Sequence, residues 1–431
     1  MKIILLAAGR SVRMQPIADK NFLCFLGKPL IIHQIEALIK ADFNEILVMG
    51  GAHNLARLKK EIVAHGFTKA KISFKEQEKL ELGMAGAILS AKSFIKKDPF
   101  LVMSSNDVVD QSAYELLRKN IKKGEGMLLA KRVEKYFPGG YLKTDSRNKI
   151  QKIVEKPGEG KEPSKLVNIV MHFHPDSQVL LETLEKISSR CDDRYECALQ
   201  KLFDDGVTYR AVPFLGFWQP VKYPWHIVSL MNYFLGGIKS KKSKSVKIAK
   251  SATIKGEVYL EDGVRVLENA VIIGPAYIGK NTVITTNALV RQSHIGANCV
   301  IGFGSEVARS FVGNGVWTHT NYIGDSVIGD DVSFGAGVVT GNLRLDEKNI
   351  MVHINGYKLD CGSNKFGLVT GNHIRVGINT SFMPGIKVGS NSFIGAGIVV
   401  DQDIPESSFV TGQWDLKIKP NKEKIAPRKD L

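Results

Sequence analysis

The second half of this chain repeats every six residues, and that period excludes most folds at once. Val266, Ile272, Ile278, Ile284 and Val290 stand six apart, and Val376, Phe382, Val388, Ile394 and Val400 do so again further on. An α-helix returns to one face after about 3.6 residues and a strand after about two, so neither produces this pattern. A coil of three short flat faces does, with one inward branched residue per face and a small residue at each corner. Glycine follows the repeat residue in Ile278-Gly279, Ile295-Gly296, Ile301-Gly302, Ile323-Gly324, Ile328-Gly329 and Phe334-Gly335. The period predicts a parallel β-helix of hexapeptide repeats over residues 251–410. It breaks between about Leu343 and Asn372, where a loop is expected to leave the solenoid.

The first half has a different grammar. Apolar runs (Ile3–Leu6, Glu45–Met49, Phe100–Met103) alternate with helical stretches (Leu30–Lys40, Asn54–Ala64, Ser112–Asn120). That alternation predicts an α/β domain over 1–237, Rossmann-like with a mostly parallel sheet. Ligands of such sheets sit beyond the carboxyl ends of the strands, where Gly9 and Asp107 fall.

Between the halves lies Lys239-Ser240-Lys241-Lys242-Ser243-Lys244-Ser245, read as part of a solvated basic linker over 238–250. The chain carries 59 Lys+Arg against 43 Asp+Glu, a formal charge of +16 that suits an acidic ligand, nucleic acid or a membrane surface. The lysine run has no aromatics for base stacking, so no nucleic-acid partner is expected. No stretch approaches about 18 consecutive apolar residues, so no membrane partner is expected either. Met1–Gly9 is too short for a signal peptide, and the five cysteines (24, 191, 197, 299, 361) lack metal-ligand spacing. A reducing cytoplasm is the expected location. Residues 411–431 form a lysine-rich tail.

Chemistry begins at the end of the first strand, with Leu6-Ala7-Ala8-Gly9-Arg10-Ser11-Val12-Arg13-Met14 and then Lys20. A glycine turn exposes backbone N–H groups to a polyphosphate, and Arg13 and Lys20 would neutralise its charge. Glu76-Gln77 and Gly83-Met84-Ala85-Gly86-Ala87 could hold a base edge. Asp107 ends a buried strand, where a magnesium ligand would sit. Gly139-Gly140-Tyr141 precedes a hairpin, and Val154-Glu155-Lys156-Pro157 is followed by Asn168.

This ordered set resembles the sugar-1-phosphate nucleotidyltransferase family over roughly residues 1–235. The resemblance implies that Arg13 and Lys20 hold the triphosphate on the Gly9 loop, while Gln77 and the Gly83 loop read the base. It gives Asp107 to Mg2+, Gly140, Glu155 and Asn168 to nucleotide and sugar binding, and Lys156 to the transferred phosphate. The implied reaction is attack of a sugar-1-phosphate oxygen on the α-phosphorus of UTP or dTTP, with pyrophosphate leaving. The chain departs from the family in three places. Ser11-Val12 replace Gly-Thr in the loop, and Met84 replaces a threonine. The element Trp-x-Asp-Val/Ile-Gly-x-Pro reads Trp218-Gln219-Pro220-Val221-Lys222-Tyr223-Pro224, so proline stands where a second metal-binding carboxylate is usual.

In the repeats, Trp317-Thr318-His319-Thr320-Asn321-Tyr322, Asn342 and Lys348 resemble the acetyltransferase half of bifunctional glucosamine-1-phosphate acetyltransferase/N-acetylglucosamine-1-phosphate uridyltransferases, of archaeal type. By that resemblance the β-helix is left-handed and His319 is the base that deprotonates a sugar amine attacking acetyl-CoA. Tyr322 and Asn342 position the amine and acetyl group, and Lys348 with Arg291 or Arg309 holds the sugar phosphate. Ser333, Leu343 and Met351 depart from the pattern. His294, His353 and His373 read as structural. A homotrimer is implied, with inserted loops reaching across between subunits. Two other readings stay open: a nucleotidyltransferase alone, and a non-catalytic regulatory or assembly module of the same plan.

Overall fold

Uninterrupted apolar runs make strands buried on both faces, and the first of them, Lys2–Leu6, sits in the middle of the N-terminal sheet with Ile3, Ile4 and Leu5 sealed from solvent. The computed structural model describes residues 1–189, 192–413 and 417–421; Cys191, Trp414 and much of the tail lie outside the described residues. Lys2–Leu6 pairs in parallel with Glu45–Gly50 and with Phe100–Ser104, and Lys71–Glu76 extends the parallel half. Helices Leu30–Lys40 and Leu55–His65 supply crossovers.

Antiparallel strands extend this parallel half. Leu166–His174 runs antiparallel to Phe100–Ser104, Gly126–Arg132 and Gly140–Thr144, and Gly140–Thr144 runs antiparallel to Ile150–Glu155. The sheet is mixed because Gly126–Arg132, Gly140–Thr144, Ile150–Glu155 and Leu166–His174 follow one another with no helix between them, and a parallel pair requires a long crossover.

Beyond residue 240 the chain winds into three parallel sheets of short strands, the arrangement of a left-handed β-helix. Val266, Ile272, Ile278, Ile284 and Val290 all point inward and lie within 1% of complete burial. Corners use asparagine as well as glycine: Asn269, Asn281, Asn287, Asn298, Asn379 and Asn391 all have φ between 54° and 59°, or 60° at Asn287. Asparagine tolerates that left-handed conformation, and its side chain bonds locally. The segment read as a linker carries strands Lys241–Lys242 and Lys247–Ile248, which pair with Tyr259–Leu260 and Arg265–Val266. These lysines therefore belong to the first coil of the solenoid.

One apolar cluster joins the halves. Phe25 packs on Phe234 (4.9 Å between centroids) and on Phe311 of the β-helix (5.2 Å). His294 is stacked between Tyr277 (4.7 Å) and Phe311 (5.0 Å), and its Nε2 accepts a hydrogen bond from the Leu26 N–H at 3.1 Å. The excursion after Val339–Thr340 contains an antiparallel hairpin, Met351–Ile354 with Tyr357–Asp360. Its Ile350, Val352 and Ile354 join the same cluster as Ile227, Leu230 and Met231 of the helix His226–Gly236. The hairpin of the inserted loop thus packs on the chain's own N-terminal domain. Apolar side chains on one face of the hairpin find a partner already within reach.

Candidate functional site

A cleft of about 700 Å³ opens over the carboxyl ends of the strands Lys2–Leu6 and Phe100–Ser104. Gly9, Arg13, Lys20, Gln77, Gly83, Asp107, Gly140, Glu155 and Asn168 all line it. The loop after the first strand is fixed from beneath: Asn21 and Asn54 both donate side-chain hydrogen bonds to the Ala7 carbonyl, at 3.0 and 2.9 Å. Ser11 has φ 54°, so the family's glycine stands where the backbone is left-handed, and serine is accommodated there with about 1 kcal/mol of strain or more.

At the base end, Gln77 Nε2 donates to the Gly83 carbonyl at 2.7 Å, which ties its amide to the loop it was expected to work with. Gly83 has φ 53°, and a Cβ there would lie 2.2 Å from Asp192. At the other end a Cβ on Gly140 would come within 2.6 Å of Asn168 Nδ2 and 3.1 Å of Glu155 Oε2, so glycine lets those two side chains converge undisturbed. Lys156 does not line the cleft wall itself. Its ammonium lies 3.2 Å from Glu155 Oε1 and 4.0 Å from Asp192 Oδ2, on a residue with φ 45°.

Electrostatics concentrate at the centre. Trp218 Nε1 donates to Asp107 Oδ1 at 3.1 Å. Burial raises the Asp107 carboxyl above its ordinary range, opposed by the Lys222 charge, the Trp218 bond and the Lys20 charge. Burial, then Arg13, lowers the Lys20 ammonium to about 8; its Nζ donates to the Val221 carbonyl at 3.1 Å. Lys222 is likewise lowered to about 8 by burial. Among the described residues no three His, Cys, Asp or Glu side chains gather as a metal cluster. Asp107 lines the cleft as a single carboxylate, which can take a magnesium ion that also rides on substrate phosphates and water.

Among the cleft residues that escaped the sequence reading are Asp192, Arg194, Tyr195 and Glu196. Burial, followed by the Glu155 charge, pushes Glu196 up to about 8. Tyr195 is held by His172 Nδ1 (2.8 Å) and His174 Nε2 (3.0 Å) in a buried network. The only signal was a cluster of charges at a helix start, which by itself reads as a solvated cap.

On the β-helix, Tyr322, Asn342 and Arg309 form one group. Asn342 Nδ2 donates to the Tyr322 hydroxyl at 3.2 Å and to Asp325 Oδ2. Arg309 grips Asp325 with two bonds of 2.7 and 2.6 Å, and Arg291 pairs with Glu306 at 2.6 Å. Both arginines expected to hold a phosphate are thus already neutralised by carboxylates on the next coil. His319 and Lys348 are exposed, and neither side chain makes a hydrogen bond or ion pair among the described residues. His319 is set by its backbone, whose N–H donates to Asn321 Oδ1 at 2.6 Å.

A family model described as nucleotidyl transferase matches residues 2–221. A bifunctional protein GlmU of Methanococcus vannielii is 33% identical to this chain, covering 97% of it and 99% of the relative. This chain belongs to the GlmU family of bifunctional proteins. A GlmU of Methanococcus maripaludis is 34% identical over the same shares, 97% and 99%. A bifunctional sugar-1-phosphate nucleotidylyltransferase/acetyltransferase of Sulfurisphaera tokodaii is 31% identical, covering 95% of this chain and 99% of its own. Full-length matches of this kind place both halves of the chain, cleft and β-helix together, within the GlmU plan. No helix among the described residues is long and apolar enough to cross a membrane.

Proposed function

We propose that this chain makes an activated N-acetylamino sugar in two steps, acetyl transfer on the β-helix and nucleotidyl transfer in the N-terminal cleft. The observation that carries the reading is the convergence of Gly9, Arg13, Lys20, Gln77, Asp107, Glu155 and Asn168, scattered along the chain, on one cleft. In the first step the amine of an amino-sugar-1-phosphate attacks the thioester carbonyl of acetyl-CoA. His319 takes the amine proton, the C–S bond breaks, and the proton passes to the leaving thiolate. Tyr322 and Asn342 orient the amine and acetyl group. Lys348 is the unpaired cation for the sugar phosphate, while Arg309 acts through Asp325 to hold Asn342.

In the second step a phosphate oxygen of the hexosamine-1-phosphate attacks the α-phosphorus of UTP or dTTP, and the bond to the β-phosphate breaks. No proton need move, so alignment and charge neutralisation by Arg13, Lys20 and Lys156 do the work. Magnesium, held by Asp107 and the phosphates, would screen charge on the triphosphate. Glu155 and Asn168 hold the sugar, and Gln77 with the Gly83 loop holds the base.

A homotrimer suits this chain. Phe303, Trp317, Val339, Ile378 and Phe393 are between 43% and 60% exposed on the corner and faces around His319. A neighbouring copy covering them would also enclose the base. Both substrates are cytoplasmic metabolites, and free thiols at Cys24, Cys299 and Cys361 suit that compartment. The test is a pair of assays on purified protein: pyrophosphate release from UTP and dTTP with hexosamine-1-phosphates, and CoA release with amino-sugar-1-phosphates. Turnover in both supports the reading; silence in both across the panel contradicts it and favours a scaffold.

A further inference from the structure

The cleft holds one charged group for which the family pattern has no counterpart. Strand Trp218–Pro220 pairs antiparallel with Asp107–Val109, which sets Pro220 opposite Asp107 and swings Lys222 into the cleft wall. There the Lys222 Nζ donates to the Pro138 carbonyl at 2.7 Å and lies 4.0 Å from the Phe137 ring centroid. Those two contacts hold a flexible side chain in place. The charges it faces are Asp107 and Arg13 from the triphosphate side, and Glu155 and Lys156 from the sugar side. The group that has to lie between those two sides is the phosphoryl being transferred. Where relatives have a second carboxylate and a glycine, this chain has a proline and an ammonium.

We propose that Lys222 is a catalytic residue of the nucleotidyl-transfer site, binding the α-phosphoryl group with a fixed ammonium where a second metal-binding carboxylate is absent. The inference rests on the nucleotidyl-transfer reading above. As the sugar-phosphate oxygen bonds to the α-phosphorus and the bond to pyrophosphate breaks, negative charge spreads over the equatorial oxygens. A preorganised ammonium meets it without rearrangement. A further consequence is that nucleotide binding draws part of its neutralisation from protein, and so persists without divalent cation.

The experiment uses the full chain and compares wild type with Lys222→Met and Lys222→Arg. Calorimetry measures UTP and dTTP binding in Mg2+ and in EDTA, and pyrophosphate release gives kcat and KM. CoA release by the β-helix on the same preparations reports that the variants are folded. The expected result is measurable binding by wild type in EDTA, at least tenfold weaker binding by Lys222→Met there, and a fall in kcat of about 10²-fold. Lys222→Arg is expected to recover most of the EDTA binding. Unchanged kcat and unchanged EDTA binding in Lys222→Met would overturn the proposal while leaving nucleotidyl transfer standing. Wild type that neither binds nor turns over nucleotide, with CoA release intact, would sink the nucleotidyl-transfer reading itself and this proposal with it.

Discussion

Single residues carry much of the specificity of the cleft, and several do so by what they lack. Gly140 leaves room for Glu155 and Asn168 to approach each other, and a side chain there would push their polar ends aside. Ser11 shows the opposite case, a side chain kept on a left-handed backbone where glycine is the family's choice. Glu196 makes the cleft pH-sensitive. Its ordinary value is 4.5 and burial lifts it to about 8 in the folded protein, so between those values the folded chain holds a proton that the unfolded chain has released. Stability then falls as pH rises from about 4.5 to about 8 and is flat on either side. Glu196→Gln should leave the melting temperature unchanged at pH 4.5 and raise it at pH 8. The expected gain is on the order of 1 kcal/mol, because an open cleft leaves the carboxyl partly wet. Equal shifts at both pH values would refute this.

At the scale of elements, the solenoid was legible because its signal is periodic: one buried branched side chain recurs at a fixed interval. The mixed sheet was not, because a run such as Met127–Ala130 reads the same whether its neighbour is parallel or antiparallel. The basic segment misread as a linker failed for a related reason. Its lysines stand on the terminal strands of two of the three β-helix sheets, and Lys255 stands on that of the third; such strands expose unpaired backbone groups, and charge there discourages other sheets from adding on. Lys241, Lys242, Lys247 and Lys255 are all exposed on those strands. Replacing Lys241, Lys247 and Lys255 together by threonine should drive end-to-end association, read by light scattering as a mass that rises with concentration. An unchanged mass would show that these charges serve something else. On the β-helix, the family resemblance pointed to Tyr322 and Asn342, but their link through Asp325 to Arg309 needed coordinates.

At the scale of the molecule, the two halves share a core. Phe311 stacks on His294 and packs on Phe25, so it belongs to both. Phe311→Ala should cost about 3–5 kcal/mol of domain docking and split a single calorimetric transition into two. A single transition merely shifted down would mean that the domains unfold together by other contacts. The excess positive charge divides in the same way between an edge-protecting first coil and a few cations in the cleft. The central claim is that one chain carries two separate chemistries. The measurement that tests it most directly assays pyrophosphate release and CoA release side by side in wild type, Asp107→Asn and His319→Ala. The account predicts that Asp107→Asn loses at least about 10²-fold in the first activity only, and His319→Ala a similar factor in the second only. Loss of both activities in either variant, or of neither in both, would contradict it.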